Sequence, residues 1–534
     1  VKIPRKKELL ELQKKYHTDK KIGEVYGVPG RLVAYWRSKK SIGPFNQPKY
    51  TREKILDLWE RYGDDRLAGA ELGISGPGFR QWRLRYGIKN KPAQLKMEQL
   101  ELDFIDLPAT GKSLRRETTV RKLLARKAGL KTVEVGETIP IEPDLALAVD
   151  NANLIIDTFF KNGFSKVCNQ AKIAIVLNQP LLAHSSNTGD DHKKIREFIK
   201  KQGILNFYDI GWGISQQVAV EEGLILPGQF VVGSDRHASS YGCIGAFSKE
   251  INIKTMAEVW ATGKIKLKVP ASIRVIINGR LPRGVTTGDI ILKLARDINR
   301  LSAGNKVIEF HGRTVAEMSI PQRITLTNFA VDAGAVSAIV PFDETLQKFL
   351  KKITKVKYKA VRADLDAQYD NEIEFDISFL TPLITDSGNF HEIKQVEDLA
   401  GKRIDQVVMG GCNNGSLEDL EIAAAILRGR RIHRNTRMLV MPGSRKTYLD
   451  AIDRGYISIL MESGCVILNP SHNTCYNACF GMLAKGERAL ATTCGNMQGK
   501  KRNPDDPVIF IASPATAAAS ALEGIITDPR KYIR

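Results

Sequence analysis

A chain of 534 residues exceeds what one hydrophobic core supports and points to roughly three to five domains. Its 43% hydrophobic and 26% charged residues suit a globular protein, and no stretch approaches the ~18 uninterrupted apolar residues of a membrane span, so a membrane partner is excluded and a cytoplasmic location is expected. The net charge of +21 favours a polyanion such as DNA as a partner, while seven cysteines, five of them from Cys412 onward, exclude a disulfide framework and favour a local thiol site.

The first predicted elements form a duplicated unit. Leu9 to Ile42 aligns without gaps on Ile55 to Ile88, with Tyr16 on Tyr62, Asp19 on Asp65, Gly23 on Gly69, Trp36 on Trp82 and Arg37 on Arg83. Each copy reads as an apolar-periodic helix, a short helix starting near an aspartate, a glycine turn and a third helix, which is the helix-turn-helix pattern. Two modules are therefore expected, over residues 1–47 and 48–92. Val28, Val33 and Trp36, with Ile74, Phe79 and Trp82, would fill their small cores. Arg31, Arg37, Lys39, Arg80, Arg83 and Arg85 would face phosphates or base edges if the third helices read nucleic acid. The alternative is a pair of docking modules whose arginines are merely solvated.

Residues 93–118 carry Pro, Gly and a basic cluster and read as a linker with one short helix. From residue 119 to 534 short β-branched runs alternate with helical patterns. "KIAIVL", "RIDQVVMGG", "RMLVMPGS" and "VIFIAS" are expected as buried parallel strands, with a last α/β domain over about 396–534. This alternation predicts doubly wound α/β layers with sites at the carboxyl ends of strands.

The stretch "NPSHNTCYNAC" brings His472, Cys475 and Cys479 into eleven residues and reads as a metal site, the remnant of one, or a loop with incidental thiols. The ordered stretches "EEGLILPGQFVVGSDRHASSYGCIGAF", "GRLPRGVTTGDIILKL", "VIEFHGRTVAEMSIPQRITLTNFAVDAGA", "MGGCNNGSLEDLEIAA" and "ASPATAAASALEG" resemble the large subunit of the aconitase and isopropylmalate or homoaconitate dehydratase family. The resemblance covers residues 119–534 and implies three doubly wound α/β/α domains. It also implies hydro-lyase chemistry on a small hydroxy acid, a 4Fe-4S cluster held by three cysteines, and a separate small swivel-domain subunit supplying a serine base and an arginine.

Residue by residue, the resemblance puts Cys412 at one ligand position, and His472 and Cys475 where the family carries Cys-x-x-Cys. Cys494 borders the cluster segment. An Asp-His pair becomes Asn178 and Gln179, and a histidine becomes Gln216. Asp235 and His237 keep their Asp-x-His motif, a glutamate becomes Asp332, and Gly495 and Lys500 stand for two carboxylate-binding arginines. Asn414 lies in the pocket. Asp to Asn and His to Gln keep hydrogen bonding but remove ionisation, and losing the arginines removes carboxylate clamps.

The donor set of Cys412, His472, Cys475 and Cys494 is compatible with an iron–sulfur cluster, with zinc or with no metal. Cys168 and Cys243 are expected as packing residues, and His184, His192, His311 and His433 at the surface. Two readings of function follow. One is an iron–sulfur protein with impaired or altered hydratase chemistry and a nucleic-acid-binding or docking N-terminus, acting in regulation. The other is a divergent hydro-lyase large subunit using Asp235, His237 and Asp332.

Overall fold

The computed structural model describes residues 3–16, 18–40, 42, 50–62, 68, 71–72, 74, 76–88, 116–178, 186–298, 304–332, 334–386, 389–411, 414–471, 481–492 and 506–533. The chain divides into two compact units, Val1–Glu101 and Leu102–Arg534.

In the first unit, α1 (Lys6–Tyr16), α2 (Asp19–Tyr26) and α3 (Gly30–Lys39) make one helical module. Helices α4 (Arg52–Tyr62) and α5 (Gly76–Arg85) belong to its repeat. Thr18 starts α2 by accepting the Lys21 amide, and Gly27 ends it at φ 65°, a left-handed conformation that suits glycine. The α2–α3 turn is tight: a Cβ on Gly23 would lie 2.3 Å from the Val28 carbonyl oxygen. Leu9, Ile22, Val33, Trp36 and Ile42 pack one core; Ile55, Leu58, Ala68, Phe79 and Ile88 pack the other, with Ile74 and Trp82 against it.

Arg37 and Arg83 do not face outward as expected. Val33, Trp36 and Arg37 fall on the inward stripe of α3, and Arg37, 6% exposed, donates Nε to Asp19 Oδ1 at 2.6 Å and Nη1 to the Ile42 carbonyl at 3.3 Å. Arg83 makes the equivalent bond, Nη1 to the Ile88 carbonyl at 2.9 Å, and its guanidinium lies 4.0 Å from the Trp59 ring centroid. Each arginine thus ties the end of its third helix to the chain that follows. Arg31, Lys39, Arg80 and Arg85 are exposed.

The second unit is built on three parallel sheets. The first has the order β4-β3-β2-β5-β6, formed by β2 (Leu145–Ala148), β3 (Ile173–Val176), β4 (Asn206–Tyr208), β5 (Phe230–Gly233) and β6 (Phe247–Glu250). A short antiparallel pair, β1 (Thr138–Ile141) with β7 (Ile265–Lys268), belongs to the same region. The second sheet has the order β10-β9-β8-β11, from β8 (Ala271–Asn278), β9 (Lys306–His311), β10 (Ser337–Ile339) and β11 (Asn371–Asp376). After the hairpin β12 (Leu383–Asp386) and β13 (Asn389–Gln395) comes the third sheet, β16-β15-β14-β17-β18. Its strands are β14 (Gln406–Gly410), β15 (Arg437–Met441), β16 (Val466–Ile467), β17 (Arg488–Ala491) and β18 (Val508–Ile511). The four apolar runs singled out in the sequence are β3, β14, β15 and β18, all in parallel ladders, the setting in which a strand reads as a continuous apolar run.

Two buried ionic devices hold these layers. Glu309 on β9 accepts the Thr119 and Val120 amides at 3.2 and 3.1 Å, at the N-terminus of α6 (Thr119–Lys127), where the helix dipole favours a negative charge. Burial pushes its pKa up, but the His311 and backbone bonds outweigh it and hold the carboxyl below its ordinary value. Arg323, fully buried, forks onto Asp343 at 2.9 and 2.6 Å and also donates to the Met318 and Ala316 carbonyls at 3.2 Å. Residues 116–118, at the end of the expected linker, already bond to this unit: the Glu117 amide donates to Asp364 at 2.9 Å. The remainder of the linker lies outside the described residues.

Candidate functional site

In the first sheet the chain runs β2→β3→β4 to one side and then β5→β6 to the other, so the strand order reverses between β2 and β5. Such a switch point opens a crevice at the carboxyl ends of the strands. Ser234, just past β5, donates Oγ to Asn151 Oδ1 at 2.6 Å, and its own carbonyl accepts Asn151 Nδ2 at 2.8 Å, locking the two strand ends together. Past β3, the Asn178 amide donates to Asp150 Oδ1 at 2.8 Å. Asn178, Asp235 and His237 therefore belong to one strand-end array.

Within that array, Asn178 Oδ1 and Asp235 Oδ1 are buried acceptors without a hydrogen-bond partner among the described residues. Burial raises the Asp235 carboxyl from 3.8 to about 6. His237 lies in the 3-10 helix Arg236–Ile244, which packs against α8 (Ile320–Asp332), counting α7 as Ser215–Glu221. Its Nδ1 sits 2.8 Å from Asn328 Oδ1, which also accepts Ser240 Oγ at 2.9 Å. An amide oxygen only accepts, so Nδ1 carries the proton and the lone pair is on Nε2. Burial depresses the imidazole from 6.5 to about 4, which keeps it neutral near physiological pH. Asp332 ends α8 one turn beyond Asn328; its side chain lies outside the described residues.

Gln216 lies fully buried on α7 and accepts from Ser215 Oγ at 3.2 Å. The loop before it is clamped to the third sheet: Gly213, at φ 131°, bridges Ser444, and the Ile214 amide donates to the Gly443 carbonyl at 3.0 Å. A Cβ on Gly213 would lie 2.6 Å from that carbonyl oxygen. Glu221, at the end of α7, accepts Ser444 Oγ at 2.9 Å and Gln217 Nε2 at 2.9 Å, and burial raises its pKa. Asn414, past β14, is buried and donates Nδ2 to the Thr492 carbonyl past β17.

Cys412, His472, Cys475, Cys494, Gln179 and Lys500 lie outside the described residues. The chain leading to the first four is described. It leaves β14 at Gly410, β16 by way of Ser471, and β17 at Thr492, each beyond the carboxyl end of a parallel strand of the third sheet. Gly410, at φ 108°, passes so close to β15 that a Cβ would be 1.9 Å from the Met441 carbonyl oxygen. Ser471 donates Oγ to Met441 Sδ at 3.5 Å. The described chain thus leads to these positions from the carboxyl ends of three strands of one parallel sheet, and thiolates with an imidazole fit an iron–sulfur cluster or zinc by donor chemistry. Among the described residues no group of three His, Cys, Asp or Glu side chains could hold a metal ion.

Asn328, Asp150 and Glu221 were not singled out in the sequence. Only Asn328 carried a signal, standing four residues before Asp332 on one helix. Two expectations are corrected. His192 is 5% exposed, because it falls on the inward face of its helix with Ile195 and Ile199, and Cys168 is exposed in a loop rather than packed. Cys243 is fully buried and burial pushes its thiol well up. His311 and His433 are half-buried, and His184 lies outside the described residues.

A model of the aconitase family (aconitate hydratase) matches residues 165–392 and 386–524. The 3-isopropylmalate dehydratase large subunit 1 of Methanopyrus kandleri is 37% identical over 418 residues, spanning 78% of this chain and 100% of that protein. A probable methanogen homoaconitase large subunit from Methanosarcina mazei is 38% identical over 389 residues, 73% of this chain and 98% of its own. Among solved structures, aconitase X of Thermococcus kodakaraensis aligns with 67% of this chain and 84% of its own at 14% identity and a TM-score of 0.40, too loose to bear on the site. With the family model falling on the region that carries the three parallel sheets, and relatives matched over 98% or more of their own length, this chain belongs to the aconitase family.

Proposed function

We propose that the second unit is a hydro-lyase large subunit acting on a small hydroxy acid with fewer carboxylates than the family's usual substrates, together with a small partner subunit. The carrying observation is the pairing, at the switch point, of a neutral His237 with an Asp235 carboxyl near pKa 6. Near neutral pH the two can hold or release a proton at Nε2 and at Oδ1. Asn328 orients the imidazole through Nδ1. Asn178 Oδ1 and Asp235 Oδ1, without a partner among the described residues, are ready to accept substrate hydroxyls. Asp332 would add a carboxylate one turn beyond Asn328, and Lys500 a single positive charge for a carboxylate.

Cys412, His472 and Cys475 would hold the cluster by three ligands, with Cys494 at its border; a fourth ligand from Cys494 would close the site. When bound, a four-iron cluster with one iron open to solvent supplies a Lewis acid for the substrate hydroxyl. The relatives named large subunits support a small partner for this chain too.

A second reading has an observation of its own. Asn178 and Gln216 are buried and cannot ionise, which supports altered chemistry and a regulatory role with a docking N-terminus. Iron and acid-labile sulfide per chain in anaerobically purified protein, with paramagnetic resonance after mild oxidation, separate the readings. A three-iron signal reversed by ferrous ion is expected for the hydro-lyase. A cluster that resists iron loss, zinc, or no metal would overturn it in favour of the second reading.

A further inference from the structure

The first unit holds 23 of the 80 Lys and Arg but 12 of the 59 Asp and Glu, so a fifth of the chain carries about half of the net charge of +21. The structure removes the two most conspicuous cations from any contact surface. Arg37 is spent on Asp19 and the Ile42 carbonyl, and Arg83 on the Ile88 carbonyl and Trp59. What α3 presents outward is a different stripe, Arg31, Tyr35 and Lys39, spaced four residues apart and all exposed. Positions i, i+4 and i+8 lie on one helix face.

Tyr35 is 51% exposed although it neighbours Trp36 of the core, and the Lys39 ammonium sits 5.3 Å from its ring centroid. An exposed aromatic ring between two cations, on a helix held by a tight glycine turn against α2, has no use in the module's own core. An α-helix with its side chains is about 10–12 Å across, which suits a major groove about 12 Å wide. Its repeat equivalent, α5, keeps exposed cations at Arg80 and Arg85 but has Gln81 where the first copy has Tyr35.

We infer that the first module binds duplex DNA through the Arg31–Tyr35–Lys39 face of α3, with Arg37 and Arg83 acting only as internal ties. The cations contact phosphate or guanine edges, and the tyrosine ring packs on sugar or a thymine methyl. The inference is independent of the chemistry proposed for the second unit, and its test does not require a metal in the protein.

The test is fluorescence anisotropy of the full chain with a labelled mixed-sequence 30-base-pair DNA duplex, from 50 to 300 mM salt. Affinity is expected to fall steeply with salt, and Arg31→Ala and Lys39→Ala should each lower the slope of log affinity against log salt by about 1. Tyr35→Ala should weaken binding several-fold and leave the slope unchanged. All three positions are exposed, so an unchanged far-ultraviolet circular dichroism spectrum is the folding control. No binding at 50 mM salt, equal binding by the Arg31 and Lys39 variants, or preference for a single-stranded RNA of the same length would overturn the inference.

Discussion

Asp235 and His237 sit two residues apart and respond to pH in opposite senses. The Asp235 carboxyl is raised from 3.8 to about 6, so its contribution to stability is full below pH 3.8 and lost as pH rises through 6. The His237 imidazole is lowered from 6.5 to about 4, so its contribution is full above pH 6.5 and lost as pH falls through 4. Each amounts to roughly 3 kcal/mol, and between about pH 4 and 6 the slopes nearly cancel. Asp235→Asn should therefore make the thermal midpoint fall on acidification through this window, and His237→Asn should make it fall as pH is raised. A flat profile in both variants would refute the assignment. Arg323 offers a sharper cost: Arg323→Met takes the fork from Asp343 and the donor from the Met318 and Ala316 carbonyls, and should destabilise the unit by about 3 kcal/mol in urea unfolding, because buried acceptors lose their partner. The residue types at 235 and 237 were legible in the sequence. Their protonation was not, since it depends on burial and on Asn328, which arrives from 91 positions away.

At the scale of elements, strand ends and helix turns decide what a loop can present. Gly410 lets β14 pass under the Met441 carbonyl at a separation no side chain tolerates, so Gly410→Ala should cost at least about 3 kcal/mol and, under the proposed cluster, lower the iron found per chain. Iron retained at the original level would show that the strand end does not position the Cys412 loop. In the repeat, Arg37→Met should destabilise the first module by about 2 kcal/mol, because it removes a charge-assisted bond to the Asp19 carboxylate and leaves the Ile42 carbonyl without its donor. Circular dichroism melts of the variant and the parent chain measure this, and an unchanged melt would show that Arg37 is not a tie. The repeat and its glycine turns could be read from residue spacing alone. That reading assigned both arginines outward, because a charged residue beside an inward stripe is normally solvated, and only the carbonyl and aspartate partners turn it inward.

At the scale of the whole molecule, among the described residues the cores of the first unit contain no residue of the second, and the four large cores contain none of the first. Deleting residues 1–115 should accordingly shift the thermal transition of the second unit by less than about 2 °C in calorimetry. A larger drop would mean that the first unit stabilises the second. The three parallel sheets were legible as alternating β-branched runs and helical patterns, and the family was legible in ordered motifs. The order of strands within each sheet was not, and the switch point between β2 and β5 depends on that order.

The sequence by itself determined the duplication, the parallel α/β layers, the family and the residue types offered to the site, because these follow from local periodicity, turn chemistry and ordered motifs. Only the tertiary structure decided which cations are internal, which carboxyl and imidazole titrate abnormally, and which acceptors are left without partners. Those properties come from burial and from neighbours distant along the chain, and no local pattern of residues records either.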